Sequence, residues 1–332
     1  MKISKPYLLF LGDAADQLAA KTAQGIKDWR EGDCVGQLRM DGCKADTGLK
    51  DLTIEQALAA GAQTMVAGVA NRGGTLSKAW IKVLLKALEA GLNLAAGLHN
   101  RLADIPELSQ AADRLGRSIF DVRHPSGTYP VATGEKRTGK RLLPVGTDCS
   151  CGKMYTALAI EREMQKSGMK ATFRATGQTG ILIAGEGVSV DAVVADFISG
   201  TVETIAPTND PDHWDIIEGQ GSLYHASYAG VSTGLLHGAQ PDVLVLCHEP
   251  TRTHMRGLPH FPLPELEECM AANLKVASLT NPDVRFAGVA VDTSRLDEDK
   301  ALSFLEETGK SFGLPAVDPV RTGVAAIINE LA

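Results

Sequence analysis

Residues 146–153 read GTDCSCGK and lie between an apolar run, 142–145, and an apolar-periodic stretch that continues to Glu163. A glycine-bounded loop that closes a strand and opens a helix is suited to holding phosphate. Gly146 and Gly152 allow the tight turn, and the backbone N–H groups of Thr147, Asp148, Cys149, Ser150 and Cys151 converge on the anion. The helix opened by Lys153, Met154 and Tyr155 aims its positive end at the same point. Lys153 adds a point charge. No other feature constrains the fold as much, because the loop requires a buried strand ending at the ligand and a crossover helix packed on the sheet.

Phosphate loops of this kind usually end Gly-Lys-Ser or Gly-Lys-Thr, since that hydroxyl ligates the magnesium accompanying a nucleoside triphosphate. Here Met154 follows Lys153. Thr156 and Asp148 are the nearest substitutes, and neither stands in the usual place. Phosphate binding is unaffected while metal-assisted phosphoryl transfer is weakened. A ligand that carries phosphates without handing one on fits better. Coenzyme A, with its pyrophosphate and 3′-phosphate, is the expected occupant, and no metal is expected.

The remainder of the chain fits that context. Strand-like runs at 7–11, 64–70, 92–96 and 118–122 alternate with helical patterns, and HPSGTYPVATGEKRTGKR at 124–141 has linker chemistry. A second series follows, with strands at 141–145, 171–175, 214–218, 242–247, 275–279 and 286–291 and helices at 153–167, 191–198 and the C-terminus. The expected fold is α/β: a Rossmann-like domain over 1–130, then a P-loop NTPase-like, doubly wound, mostly parallel sheet over 131–332. At 332 residues, two domains are the better expectation. A formal net charge of −7, with no basic cluster longer than Lys136 to Arg141, argues against nucleic acid or an anionic membrane as the main partner. No run is long and apolar enough to span a membrane, and the N-terminus does not read as a secretory signal. Six scattered cysteines without a CxxC pair read as reduced thiols in a cytoplasmic protein. A homo-oligomer is compatible with all of this.

Several polar constellations sit at predicted strand ends, where ligands bind in open α/β sheets. RATGQTG at 174–180 places Arg174, Thr176 and Gln178 together, which suits a carboxylate or phosphate or an ordinary polar loop. EGQGS at 218–222 delivers Glu218 into a glycine-rich turn with Gln220 and Ser222; Glu218 reads as a general base, a metal partner or a cap. His225 follows, near the ligand or packed in the core. HEPTRTHMRG at 248–257 is the densest ionisable cluster. Its spacing excludes an HExxH metal site, while Arg252 and Arg256 read as forks for a dicarboxylate or as solvated loop residues. Asn71-Arg72 and His99-Asn100-Arg101 also follow strands.

The second domain resembles the dethiobiotin synthetase branch of P-loop proteins in its GTDC loop and EGQGS turn. Over nearly the whole chain, the ordered motifs GTDC, RATGQTG, EGQGS, YAGVSTGLLHG and LCHEP resemble more closely a family of two-domain P-loop proteins that contains D-glutamate N-acetyltransferase. The resemblance implies transfer of acetyl from acetyl-CoA to the amine of D-glutamate. In that scheme the amides of 147–154 with Lys153 hold the coenzyme, and Asp292 and Thr293 lie near its adenine. Arg174, Arg252 and Arg256, with Thr176, Gln178, Gln220, Ser222, Asn71 and Arg72, are expected to contact D-glutamate. Glu218 or His225, and behind them His254, takes the ammonium proton. The amides of 219–222 face the oxyanion. Cys149 and Cys151 invite an acetyl-cysteine intermediate, but direct transfer is favoured as needing fewer special residues. The rival expectations are an ATP- and magnesium-dependent ligase or carboxylase and a nucleotide-sensing module without turnover.

Overall fold

The computed structural model describes residues 2–69, 76–125 and 127–331. It contains two compact units, Met1–Ser126 with Gly177–Ala192, and Gly127–Thr176 with Val193–Ala332.

The first unit runs β1 (Tyr7–Gly12), α1 (Lys21–Arg30), β2 (Cys34–Arg39), α2 (Ile54–Ala59), β3 (Thr64–Ala67), α3 (Lys78–Ala90), β4 (Asn93–Ala96), α4 (Pro106–Leu115) and β5 (Ile119–Asp121). All strands are parallel, in the order β2-β1-β3-β4-β5. β1 and β3 are buried at every position, as strands covered on both faces by helices must be. Ser77 caps α3 by accepting from the Trp80 amide, and Gly91 ends it in a left-handed turn. The sequence pattern does not announce β2, because CVGQLR puts Gly36 and Gln37 at its buried positions. That edge strand holds because the Gln37 amide donates to Asp46 and Asp51 and its oxygen accepts from Thr47.

The second unit opens with β6 (Lys140–Gly146), α5 (Lys153–Lys166) and β7 (Ala171–Arg174). The chain then lends α6 (Gln178–Ala184) to the first unit, where Ile181, Leu182 and Ile183 are buried and the helix lies on α1. It returns with α7 (Ile198–Ile205), β8 (Trp214–Ile217), α8 (Ala229–Ala239), β9 (Val243–His248) and a hairpin of β10 (His254–Met255) and β11 (Leu258–Pro262). α9 (Leu266–Ala277), β12 (Arg285–Val291), α10 (Glu298–Phe312), β13 (Ala316–Val317) and α11 (Ala325–Asn329) complete it. Six parallel strands take the order β13-β12-β9-β6-β8-β7. β6 lies between β9 and β8, so the glycine-bounded loop at 146–153 leaves the middle of the sheet, beside the C-terminal ends of both neighbours.

Two expected elements differ. Of residues 275–279, read as a strand, the first three end α9 and the last two form the turn after it, because Cys269, Asn273 and Ala277 recur every fourth residue on the buried face of the helix. Residues 191–198, read as a helix, form two short 3-10 turns, and the α-helix begins only at Ile198. The basic stretch ahead of β6 is also more than a linker. Arg137 donates to the carbonyls of Glu203 and Ala206 at the end of α7 and to those of Gly238 and Ala239 at the end of α8. A cation there satisfies orphan carbonyls and meets the negative ends of two helices. Arg141, 1% exposed, donates to the carbonyls of Arg137, Thr138, Gly139 and Pro207.

Candidate functional site

The loop between β6 and α5 is shaped by what cannot fit inside it. A Cβ on Gly146 would lie 2.6 Å from Cys151 Sγ and 2.9 Å from both the Asp148 carbonyl oxygen and Lys153 Nζ. Lys153, 6% exposed, curls back over the loop to donate to the Asp148 carbonyl at 2.8 Å. Thr147 is fixed from three sides: its amide donates to the Cys247 carbonyl, its carbonyl accepts from Ser222 Oγ, and its hydroxyl bonds His248 Nδ1 at 3.0 Å.

Arg252 and Arg256, expected as substrate forks, brace this loop. Arg252 donates to Asp148 Oδ2 at 2.8 Å, to the carbonyls of Cys149 and Ser150 at 2.5 Å each, and to Glu249 Oε2 at 3.0 Å. The Arg256 amide donates to Asp148 Oδ2 at 2.9 Å, and its guanidinium donates to the Ser150 hydroxyl. Ser150 takes a φ of +50°, which L-residues rarely adopt. The two arginines on its carbonyl and hydroxyl hold it there.

The other expected residues divide. Glu218, 3% exposed, directly follows β8 and accepts the Thr176 amide at 2.9 Å, while the Thr176 hydroxyl donates to the Glu218 carbonyl and accepts from Gln220. Glu218, Thr176, Gln220 and Ser222 therefore form one group beside the loop, and Gly219 allows it. A Cβ there would lie 1.8 Å from the Pro144 carbonyl oxygen and 3.0 Å from the Lys153 side chain. His225 is 2% exposed and has both ring nitrogens engaged. Nδ1 accepts from the Ser227 amide, so Nε2 carries the proton and donates to the Arg256 carbonyl at 3.0 Å. That arrangement suits a buttress of the Arg256 turn. His254 is exposed on β10 and bonds the neighbouring Thr253 hydroxyl. Arg174 is paired with the buried Asp215 at 2.7 Å. Gln178 belongs to the first unit, where its amide oxygen accepts from Arg123 at 3.0 Å. The RATGQTG stretch is thus divided between the two units, between Thr176 and Gly177. Asn71 and Arg72 lie outside the described residues.

A cavity of about 450 Å³ adjoins the loop, walled by Gly152, Tyr155, Asp292, Ser294, Pro319 and Val320. Asp292 faces it, and Thr293 sits behind it as a strut. Asp318 accepts the amide and hydroxyl of Thr293 on one oxygen and the amides of Val320 and Arg321 on the other. Arg321 donates back to the Thr293 hydroxyl and the Leu296 carbonyl. Sequence reasoning missed this second wall. DPVR at 318–321 has the spacing of an Asx turn, but nothing in the linear pattern ties it to Thr293.

The donors that would substitute for a magnesium hydroxyl are engaged elsewhere. Thr156, 1% exposed, donates to the Gly152 carbonyl and accepts from the Cys247 thiol. Asp148 is filled by Arg252 and the Arg256 amide. Among the described residues one trio, Asp148, Cys149 and His225, brings ligand-type atoms within 4.8 Å of one another. Two of the three carry the bonds described above. Burial raises the Cys149 thiol above its ordinary pKa, with the Lys153 charge opposing.

His248 gives this site a pH signature. Burial lowers its pKa from 6.5 to about 4, the Arg252 charge assists, and Glu249 opposes. Between those values the unfolded chain binds a proton that the folded chain does not. Stability is therefore full above pH 6.5 and falls as the pH drops towards 4, by roughly 3 kcal/mol at most. Urea unfolding at pH 7 and pH 4.5 should show that fall in the parent and a reduced one in His248→Gln. Equal losses in both would refute the assignment.

Among the described residues no helix is long and apolar enough to cross a membrane. Residues 37–125 match DUF1611_N, described as a Rossmann-like domain of unknown function, and residues 130–328 match DUF1611_C, described as a P-loop domain of unknown function. A protein of Tritonibacter scottomollicae named D-glutamate N-acetyltransferase is 58% identical over 330 residues, covering 99% of both chains. One of a Pseudoalteromonas species with the same name is 49% identical over 331 residues, covering 100% of both. The crystal structure of a DUF1611 family protein from Anabaena variabilis superposes with a TM-score of 0.84 at 32% identity over 99% of both chains. Similarity of that extent in sequence and in fold establishes kinship, and the chain belongs to the DUF1611 family.

Proposed function

We propose that this chain is a D-glutamate N-acetyltransferase that moves the acetyl group of acetyl-CoA to the amine of D-glutamate, releasing N-acetyl-D-glutamate and coenzyme A, in the cytoplasmic breakdown of D-amino acids. The observation that carries the proposal is a phosphate loop with Met154 in the place of the metal-binding hydroxyl, opening onto a cavity large enough for a nucleoside. The names of two full-length relatives support the same choice. The Thr147 and Cys149 amides are spent on the Cys247 carbonyl and on Asp148, so in this scheme the amides of 150–154 and Lys153 hold the coenzyme phosphates, and the cavity between Tyr155 and the 318–321 turn takes the adenosine.

The acceptor nitrogen must lose a proton before it attacks the thioester carbon. Glu218 is proposed for that role, since a carboxylate only accepts and its position is fixed by Thr176, with His254 as the second candidate. The His225 ring is assigned to orientation. The amides of the 219–222 turn are proposed to stabilise the tetrahedral oxyanion, which collapses by expelling the coenzyme thiolate. Direct transfer is preferred to an acetyl-cysteine because burial disfavours the Cys149 thiolate.

The test is release of free thiol from acetyl-CoA, screened over D- and L-amino acids with and without magnesium. Thiol release with D-glutamate, indifferent to magnesium, is expected. No release with any amine, or phosphate release from ATP and magnesium in its place, would overturn the proposal.

A further inference from the structure

The first unit contains a cavity of about 540 Å³ whose polar wall is His99, Asn100, Arg101, Asp104 and His124. It opens beyond the C-terminal ends of β4 and β5, where open parallel sheets bind ligands, and its volume falls in the range of small-molecule sites, about 300–1,000 Å³. Buried contacts hold its rim in place. Asp121, 8% exposed, accepts the amides of Leu102 at 2.8 Å and Ala103 at 3.0 Å, fixing the turn next to Arg101. His124 Nε2 bonds the His99 carbonyl at 2.9 Å, joining the two loops that flank the opening.

Arg101 distinguishes this cavity. In the second unit the arginines expected to meet a carboxylate are engaged: Arg174 with Asp215, Arg252 with Asp148 and Glu249, Arg256 with Ser150. The exposed Arg101 guanidinium, which lines this cavity, makes no hydrogen bond or ion pair with a described residue, and its charge acts only at longer range on the Asp121 carboxylate behind the turn. A planar fork of N–H donors beside an amide side chain and imidazoles matches the two oxygens of a carboxylate. Ile81 and Ile105 supply an apolar wall for a short methylene chain, and Asp104 supplies an anion for an ammonium.

We propose that this cavity binds a small dicarboxylic amino acid, with a carboxylate on Arg101 and Asn100. Such a molecule has two sources here, the acceptor of the transfer reaction or a regulator of like chemistry, and both require the same contacts. The first source rests on the transferase reading above and the second does not, and binding itself is read without turnover.

The test is calorimetric titration of the full chain, without acetyl-CoA, by D-glutamate and by glutarate. Arg101→Gln is expected to weaken both by about 10- to 100-fold, the contribution of hydrogen bonds to a charged group. Ile81→Trp, which fills the cavity from α3, should weaken both as well, and it keeps the question answerable if Arg101→Gln does not fold. Thermal unfolding checks each variant. A rise in the KM for D-glutamate parallel to the loss of binding identifies the acceptor, and lost binding with an unchanged KM identifies a regulator. Failure of the parent to bind either probe, or unchanged binding in a folded variant, overturns the proposal. An absence of thiol release would count against the acetyltransferase alone.

Discussion

Lys153→Met should weaken the binding of acetyl-CoA by about 100-fold while leaving the ligand-free protein no less stable than the parent. Both halves follow from the position of one ammonium group. Lys153 is almost fully buried, and its Nζ meets a carbonyl oxygen and the Cys151 sulfur. Among the described residues no carboxylate pairs with it. A desolvated, unpaired cation is costly in the empty protein and is repaid only when an anion arrives beside the converging loop amides. Methionine keeps the length and apolar volume of the side chain and removes the charge. Calorimetry with acetyl-CoA measures the first half and thermal unfolding the second. Coenzyme binding within threefold of the parent would show that the loop does not hold its phosphates.

Asp148→Ala should lower stability by about 3–5 kcal/mol and abolish coenzyme binding with it. Asp148 is fully buried and accepts from its neighbour Cys149 N at 2.6 Å, from Arg252 at 2.8 Å and from the Arg256 amide at 2.9 Å. It joins the β6–α5 loop to the segment after β9. Alanine leaves the largely buried Arg252 charge with Glu249 as its one carboxylate beside the Cys149 and Ser150 carbonyls, and leaves the Arg256 amide without its acceptor. Asp148→Asn, which retains an acceptor oxygen but no charge, should fall between the two. Denaturant unfolding of the three proteins gives the order, and a loss below about 1 kcal/mol in the alanine variant would refute the brace.

The role of Asp148 also marks how far the sequence could be read. Counted along the chain, Asp148 is a loop residue near a phosphate, and Arg252 and Arg256 are arginines in a polar segment about a hundred positions later. Nothing in either stretch shows that they meet, because that contact exists only once β6 and β9 lie side by side. The same applies to Arg174, whose partner Asp215 is on the adjacent β8, and to Asp318, which holds Thr293 from across a helix. Lys275 to Leu279 failed for a different reason. A short apolar run fits strand and helix equally well, and only the burial of Cys269, Asn273 and Ala277 together decides.

The sequence by itself determined whatever depends on neighbours along the chain. The strand–loop–helix around Gly146 and Lys153, the absence of a hydroxyl after that lysine, the alternation that yields two parallel sheets and the order of motifs that marks the family are all of this kind. Tertiary structure decided which charges are free to act. An arginine seeks the nearest acceptor in space, so three expected substrate forks became struts of the fold. The Arg101 guanidinium in the first unit makes no hydrogen bond or ion pair among the described residues, because the Asp121 carboxylate that feels its charge is occupied by the amides of Leu102 and Ala103.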